Sequence, residues 1–135
     1  MNKLLTLLIF AAFLGAPFIA SADENTIRLI CKYSHTIDDQ GKSSDTSGED
    51  LITVKYSSDG KAIIKKQDLG AEFTGTVNEE QISGETRYKI QDSIFHQTLL
   101  INRYTGAFEI TFGVEGKKAG LIHYGNCKPA LKKLF

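Results

Sequence analysis

The chain has 135 residues, 41% of them hydrophobic, and its 16 basic side chains are matched by 16 acidic ones. With no net charge it lacks a global field to gather nucleic acid or anionic lipid, and its length suits one domain with a single core. Tryptophan is absent and there are only two cysteines, Cys31 and Cys127.

The N-terminus carries Lys3, an apolar run from Leu4 to Leu14 interrupted by Gly15 and Pro17, and then Ala20-Ser21-Ala22 before Asp23 and Glu24. A basic start, an apolar centre and a small-x-small site are the parts of a secretory signal peptide. A membrane anchor needs about 20 apolar residues, and this run is shorter. The expectation is therefore a leader over residues 1–22 and a single β domain over 23–135, periplasmic or secreted and not membrane-spanning. In such a compartment the two cysteines read as a disulfide between Cys31 and Cys127. In the chain-entropy model, closing a ring of about 100 residues contributes on the order of 4 to 5 kcal/mol.

From Asn25 to Ser34 apolar residues alternate, with Ile27, Leu29, Cys31 and Tyr33 on one face, the period of a half-buried strand. Thr36 to Asp50 is rich in Asp, Ser and Gly and nearly free of apolar groups, which predicts a long mobile loop. Its acidic residues do not follow the spacing of a calcium loop. Alternation resumes from Leu51 to Tyr56, and Asp59-Gly60 is a hairpin signal before a returning strand from Lys61 to Lys66.

Glu72 to Val77 reads as a strand in which Gly75 marks a bulge or the close approach of another backbone. Asn78-Glu79-Glu80 and Ser83-Gly84 read as turns, and Arg87 to Gln91 as a strand. Ile94 to Arg103 and Ala107 to Gly113 form the clearest hairpin, joined by Tyr104-Thr105-Gly106. A charged turn from Glu115 to Ala119 precedes a last strand, Gly120 to Cys127, and Pro129 is placed to open one helical turn in the tail. About eight short strands with little helix predict an all-β fold, a small antiparallel meander barrel or sandwich. The first and last strands carry the cysteines, so the disulfide would close it.

The chemistry-bearing residues are sparse. Of the three histidines, His35 sits at a loop edge, His96 in one strand and His123 in the last, with no H-x-H or H-x3-H pairing of metal-ligand type. His123, between Ile122 and Tyr124, is the first choice if a site exists. The serines cluster in loops without a nucleophile elbow, and the two cysteines are expected to be oxidised. Neither catalytic residues, a metal nor a cofactor is expected, and the chain reads as a non-enzyme. The tail's Lys128, Lys132 and Lys133 with Leu131, Leu134 and Phe135 can meet a partner or pack back on the barrel rim. Arg103 and Tyr104 either simply end a strand and cover an apolar edge, or present a recognition edge.

The pattern I-N-R-Y-T-G, an alternating strand, G-N-C and a lysine-rich tail over Thr98 to Phe135 resembles a group of small exported proteins of Gram-negative bacteria to which no activity is assigned. More loosely, the leader, early cysteine, S-G-x-x-Y-like element and late cysteine are similar to the periplasmic C-type lysozyme inhibitors. That resemblance implies an eight-stranded barrel and a loop entering the lysozyme cleft, carried here by Ser83, Gly84 and Tyr88, although S-G-E-T-R-Y is one residue longer than the family's element. The function expected is that of an exported barrel binding a ligand or an envelope or extracellular partner, with lysozyme inhibition through a Ser83 to Tyr88 turn as the alternative.

Overall fold

The structure is a computed structural model and describes residues 25–117 and 120–130, the Leu69 side chain excepted. The expected leader and the tail beyond Ala130 lie outside the described residues. Nine strands follow in chain order: β1 (Asn25–Ile37), β2 (Ser43–Asp45), β3 (Glu49–Tyr56), β4 (Lys61–Lys66), β5 (Glu72–Val77), β6 (Gln81–Ile90), β7 (Ser93–Asn102), β8 (Ala107–Val114) and β9 (Leu121–Pro129). From β3 to β9 each strand pairs antiparallel with the next, while β1 pairs with β2, β3 and β9, so β1 and β3 to β9 close an eight-stranded barrel with β2 beside β1. The predicted fold class holds. Closure removes the sheet edges that an open meander would leave unpaired.

Period-two alternation decides what lies inside. Ile52 and Val54 of β3, Ala62 and Ile64 of β4, Phe73 and Val77 of β5, Leu99 and Ile101 of β7, and Phe108 and Ile110 of β8 are all buried in one cluster. Fully burying a side chain of this size contributes about 1.5–3 kcal/mol. The seam is covalent: Cys31 and Cys127 lie directly opposite each other across β1 and β9, and their sulfurs are bonded at 2.02 Å. The turns at Asp59-Gly60 and Thr105-Gly106 form as expected, with both glycines at positive φ.

Several local expectations are corrected. Thr36 to Asp50 is not a long loop: β1 runs on to Ile37, β2 pairs back on it from Ser43 to Asp45, and β3 already begins at Glu49. Backbone pairing needs no apolar side chain, so a polar hairpin is invisible to a hydrophobicity reading. His35 accordingly sits within β1 rather than at a loop edge. Ser83-Gly84 is no turn but the middle of β6, and Ser83 to Tyr88 is strand throughout. There Gly84 serves packing: a Cβ on it would lie 2.8 Å from Ile64 Cδ1 and 3.0 Å from Phe73 Cβ. Opposite it, a Cβ on Gly75 would come within 1.8 Å of the Ser83 carbonyl oxygen, the close backbone approach its mid-strand position suggested. Pro129 is the last residue of β9, opposite Leu29, and the residues beyond Ala130 expected to complete a helical turn lie outside the described ones.

Candidate functional site

The barrel has two ends. One carries the turns at Ser57–Gly60, Asn78–Glu80 and Arg103–Gly106, and the other carries those at Asp38–Lys42, Gln67–Gly70, Gln91-Asp92 and Glu115–Lys117. Towards this second end, the mouth, the inward positions change character. Alternation places Asp50 two residues before Ile52 and Lys66 two after Ile64, so both point inside. Their side chains are only 1% and 4% exposed, and Lys66 Nζ lies 3.3 Å from Asp50 Oδ2. Asp50 Oδ1 accepts from the Asp68 backbone N–H at 3.0 Å, which ties the carboxylate to the turn after β4. Oδ2 has the ionic contact but no aligned hydrogen-bond donor.

Lys66 also lies over the Tyr33 ring, 5.8 Å from its centroid. Burial works against its charged form, but Tyr33 and Asp50 together outweigh that, and its pKa is raised above the ordinary 10.5. The ammonium thus stays charged inside the barrel.

A shift of register in β1 between Tyr33 and His35 puts both Ser34 and His35 outside and returns Thr36 to the interior. Thr36 then faces His123 of β9, its Oγ1 at 2.6 Å from His123 Nδ1 and at 2.6 Å from Thr46 Oγ1. The His123 ring meets Phe112 edge-on at 5.1 Å and Tyr33 at 5.7 Å. Burial first, and then the Lys66 ammonium, hold its pKa below the ordinary 6.5. Imidazole is therefore the neutral form at pH 7.

Above this floor opens a cleft of about 680 Å³, lined by Tyr88, Phe95, Phe112, Val114, Leu121 and His123, with Asp38, Asp39 and Lys117 at its lip. Tyr88 and Phe95, opposite each other on β6 and β7, stack at 5.6 Å with their planes 10° apart. The buried Gln97 fixes Tyr88 by donating from Nε2 to its hydroxyl at 3.0 Å. Ligand sites are commonly clefts of this size, mostly apolar with a few convergent polar groups, and barrel mouths are one of their usual places. A depression of about 610 Å³ lies on the outer face of β3 to β5, around Lys55, Ile63 and Lys65.

Of the residues singled out in the sequence, only Tyr88 and His123 come to this cleft. Ser83 points outward and shares a hydrogen bond with Thr76 at 3.1 Å, and Gly84 faces the core. Arg103 and Tyr104 lie at the opposite end. There Arg103 Nη1 donates to the Asn78 carbonyl at 2.6 Å and Tyr104 is 76% exposed, beside a second cleft of about 450 Å³. His35 stacks on Tyr124 at 4.8 Å on the outer face, and the His96 ring covers Gly113. The histidines are thus dispersed, and among the described residues no three His, Cys, Asp or Glu side chains converge on a metal position. Nor is any helix among them long and apolar enough to cross a membrane.

Sequence reading missed Lys66, Asp50, Thr36, Gln97 and Phe95 as parts of one site. Lys66 and Asp50 did carry a signal, since each continues the inward parity of its strand. No family model matches the chain, and no curated protein matches it in sequence.

Proposed function

We propose that the protein is an exported, non-enzymatic barrel that binds a ligand at its mouth. The observation that carries this reading is the aromatic cleft above His123, because stacked Tyr88 and Phe95 leave apolar surface open to solvent where a barrel could have closed over it. The buried disulfide is consistent with an oxidising compartment, which supports export to the periplasm or beyond. Against catalysis stands the state of the two hydroxyls that meet a histidine among the described residues: Ser34, 2.9 Å from His35 Nδ1, lies on the outer face away from the cleft. Thr36 is buried, its oxygen is shared between His123 and Thr46, and it does not line the cleft.

The test is displacement of an environment-sensitive apolar dye from the purified protein. Saturable dye binding that is lost in Tyr88→Ser and Phe112→Ser supports the mouth as the site; binding unchanged by both substitutions overturns it. The lysozyme-inhibitor alternative has to work through β6 as a strand, whose pairing with β5 ends at Glu85 and leaves Arg87 and Lys89 on an outer edge. Micromolar inhibition of a C-type lysozyme, weakened by Tyr88→Ala, is the outcome that would establish it. No effect at high micromolar concentration would remove it.

A further inference from the structure

The ligand's chemistry can be narrowed from the groups that meet at the cleft. Three aromatic rings, Tyr88, Phe95 and Phe112, supply flat apolar surface from three consecutive strands. Aromatic pairs gain about 0.5–1.5 kcal/mol beyond simple area burial when stacked or edge-on, so a ring is the body this lining favours. His123 is the polar group on the same wall. Its Nδ1 is taken by Thr36, which leaves Nε2 without a hydrogen-bond partner among the described residues.

The 2.6 Å contact suits either tautomer. Nδ1–H donates to Thr36 and Nε2 accepts, or the Thr36 hydroxyl donates to Nδ1 and Nε2–H donates. A hydroxyl both donates and accepts, so it can pair with Nε2 in either case. Charge narrows the class further. At the lip Asp38 and Asp39 outnumber Lys117, so an entering anion meets net negative charge, and a cation at the floor would approach the Lys66 ammonium, which even when paired with Asp50 disfavours a proton on His123.

We propose that the mouth takes an uncharged aromatic ring bearing a hydroxyl group, the ring against Tyr88, Phe95 and Phe112 and the hydroxyl on His123 Nε2. This rests on the mouth being a ligand site. The volume of the cleft leaves room for a larger molecule of which this phenolic ring is the inserted end.

The experiment is a titration of the isotope-labelled protein with p-cresol, toluene, benzoate and benzylamine, following the amide resonances of Tyr88, Phe95, Phe112 and His123. One hydrogen bond to a cleft group is worth about tenfold in affinity, so p-cresol binds about tenfold tighter than toluene, and both charged probes bind more weakly than p-cresol. His123→Phe brings p-cresol down to the toluene level. His123→Gln, which keeps a donor and an acceptor, preserves part of the gap and guards against loss of folding in the first variant. Equal affinities for p-cresol and toluene would overturn the hydroxyl assignment and leave the mouth a binding site. The absence of any shift at these four residues with all probes up to millimolar concentration would overturn both readings.

Discussion

Towards the Ser57–Gly60 and Arg103–Gly106 turns the barrel interior is aliphatic with Phe108 among it, while towards the mouth the inward positions include Asp50, Lys66, Thr36, Gln97 and His123. Local rules do not separate these halves, since both alternate in and out with period two. What differs is the desolvation cost. An apolar filling stabilises by area alone, whereas a buried ion pair must first recover the cost of leaving water and is weak support for stability. The polar floor lies directly behind the aromatic cleft, so the end that contributes less to stability is the one that presents chemistry. Under the proposed function, one end serves folding and the other recognition.

The largest effect tests the seam that both ends share. Replacing Cys31 and Cys127 with alanine opens a bond spanning 96 residues of sequence, and denaturant titration should show a loss on the order of 4 to 5 kcal/mol. Next come paired substitutions at the two ends. Phe108→Ala, buried beside the Arg103–Gly106 turn, should cost about 3–5 kcal/mol. Phe112→Ala at the half-buried mouth should cost clearly less in stability while removing dye binding at the cleft. Equal stability losses would erase the division between the ends.

The ion pair gives the sharper cycle. Lys66→Met strands Asp50 in the interior and should destabilise by about 3–5 kcal/mol, but Lys66→Met with Asp50→Asn should recover most of that loss. If the double variant is as unstable as the single one, the loss comes from the contacts of Lys66 itself, such as its place over the Tyr33 ring, and not from a stranded charge on Asp50.

The smallest effect concerns pH. The folded protein takes up a proton on His123 only at lower pH than the unfolded chain, whose value is near 6.5. Below about 6.5 the unfolded state therefore holds more protons, and stability falls with acidification until the folded pKa is passed. Thermal melts from pH 7.5 to 5 should show this loss, and His123→Gln should lack its share of it. An identical pH profile in the variant would mean that His123 is not held neutral by Lys66 and burial.

Much of the scaffold was legible in the residues. Alternation identified the inward faces of β1, β3, β4 and β8, Asp59-Gly60 and Thr105-Gly106 marked turns, and the two cysteines foretold a closed seam. The mouth was legible only in part. Tyr88 and His123 stood out, but Thr36 and Asp50 lay in a stretch whose polarity argued for a loop, and Ser83-Gly84 had the composition of a turn. In each case composition reports what a side chain does in water, whereas the strand offered the backbone a paired neighbour and the side chain a specific gap or partner.

Fold class, the inward parity of the strands and the cysteine pair follow from the order of residues alone, because period two and turn chemistry act within a few residues of each other. The site does not follow from that order. Bringing Thr36 to His123 required a register shift in β1 and closure of β1 onto β9, and bringing Asp50 to Lys66 required the β3–β4 pairing to run to the mouth. Those juxtapositions join residues up to 87 positions apart, and only the closed barrel sets which strand faces meet.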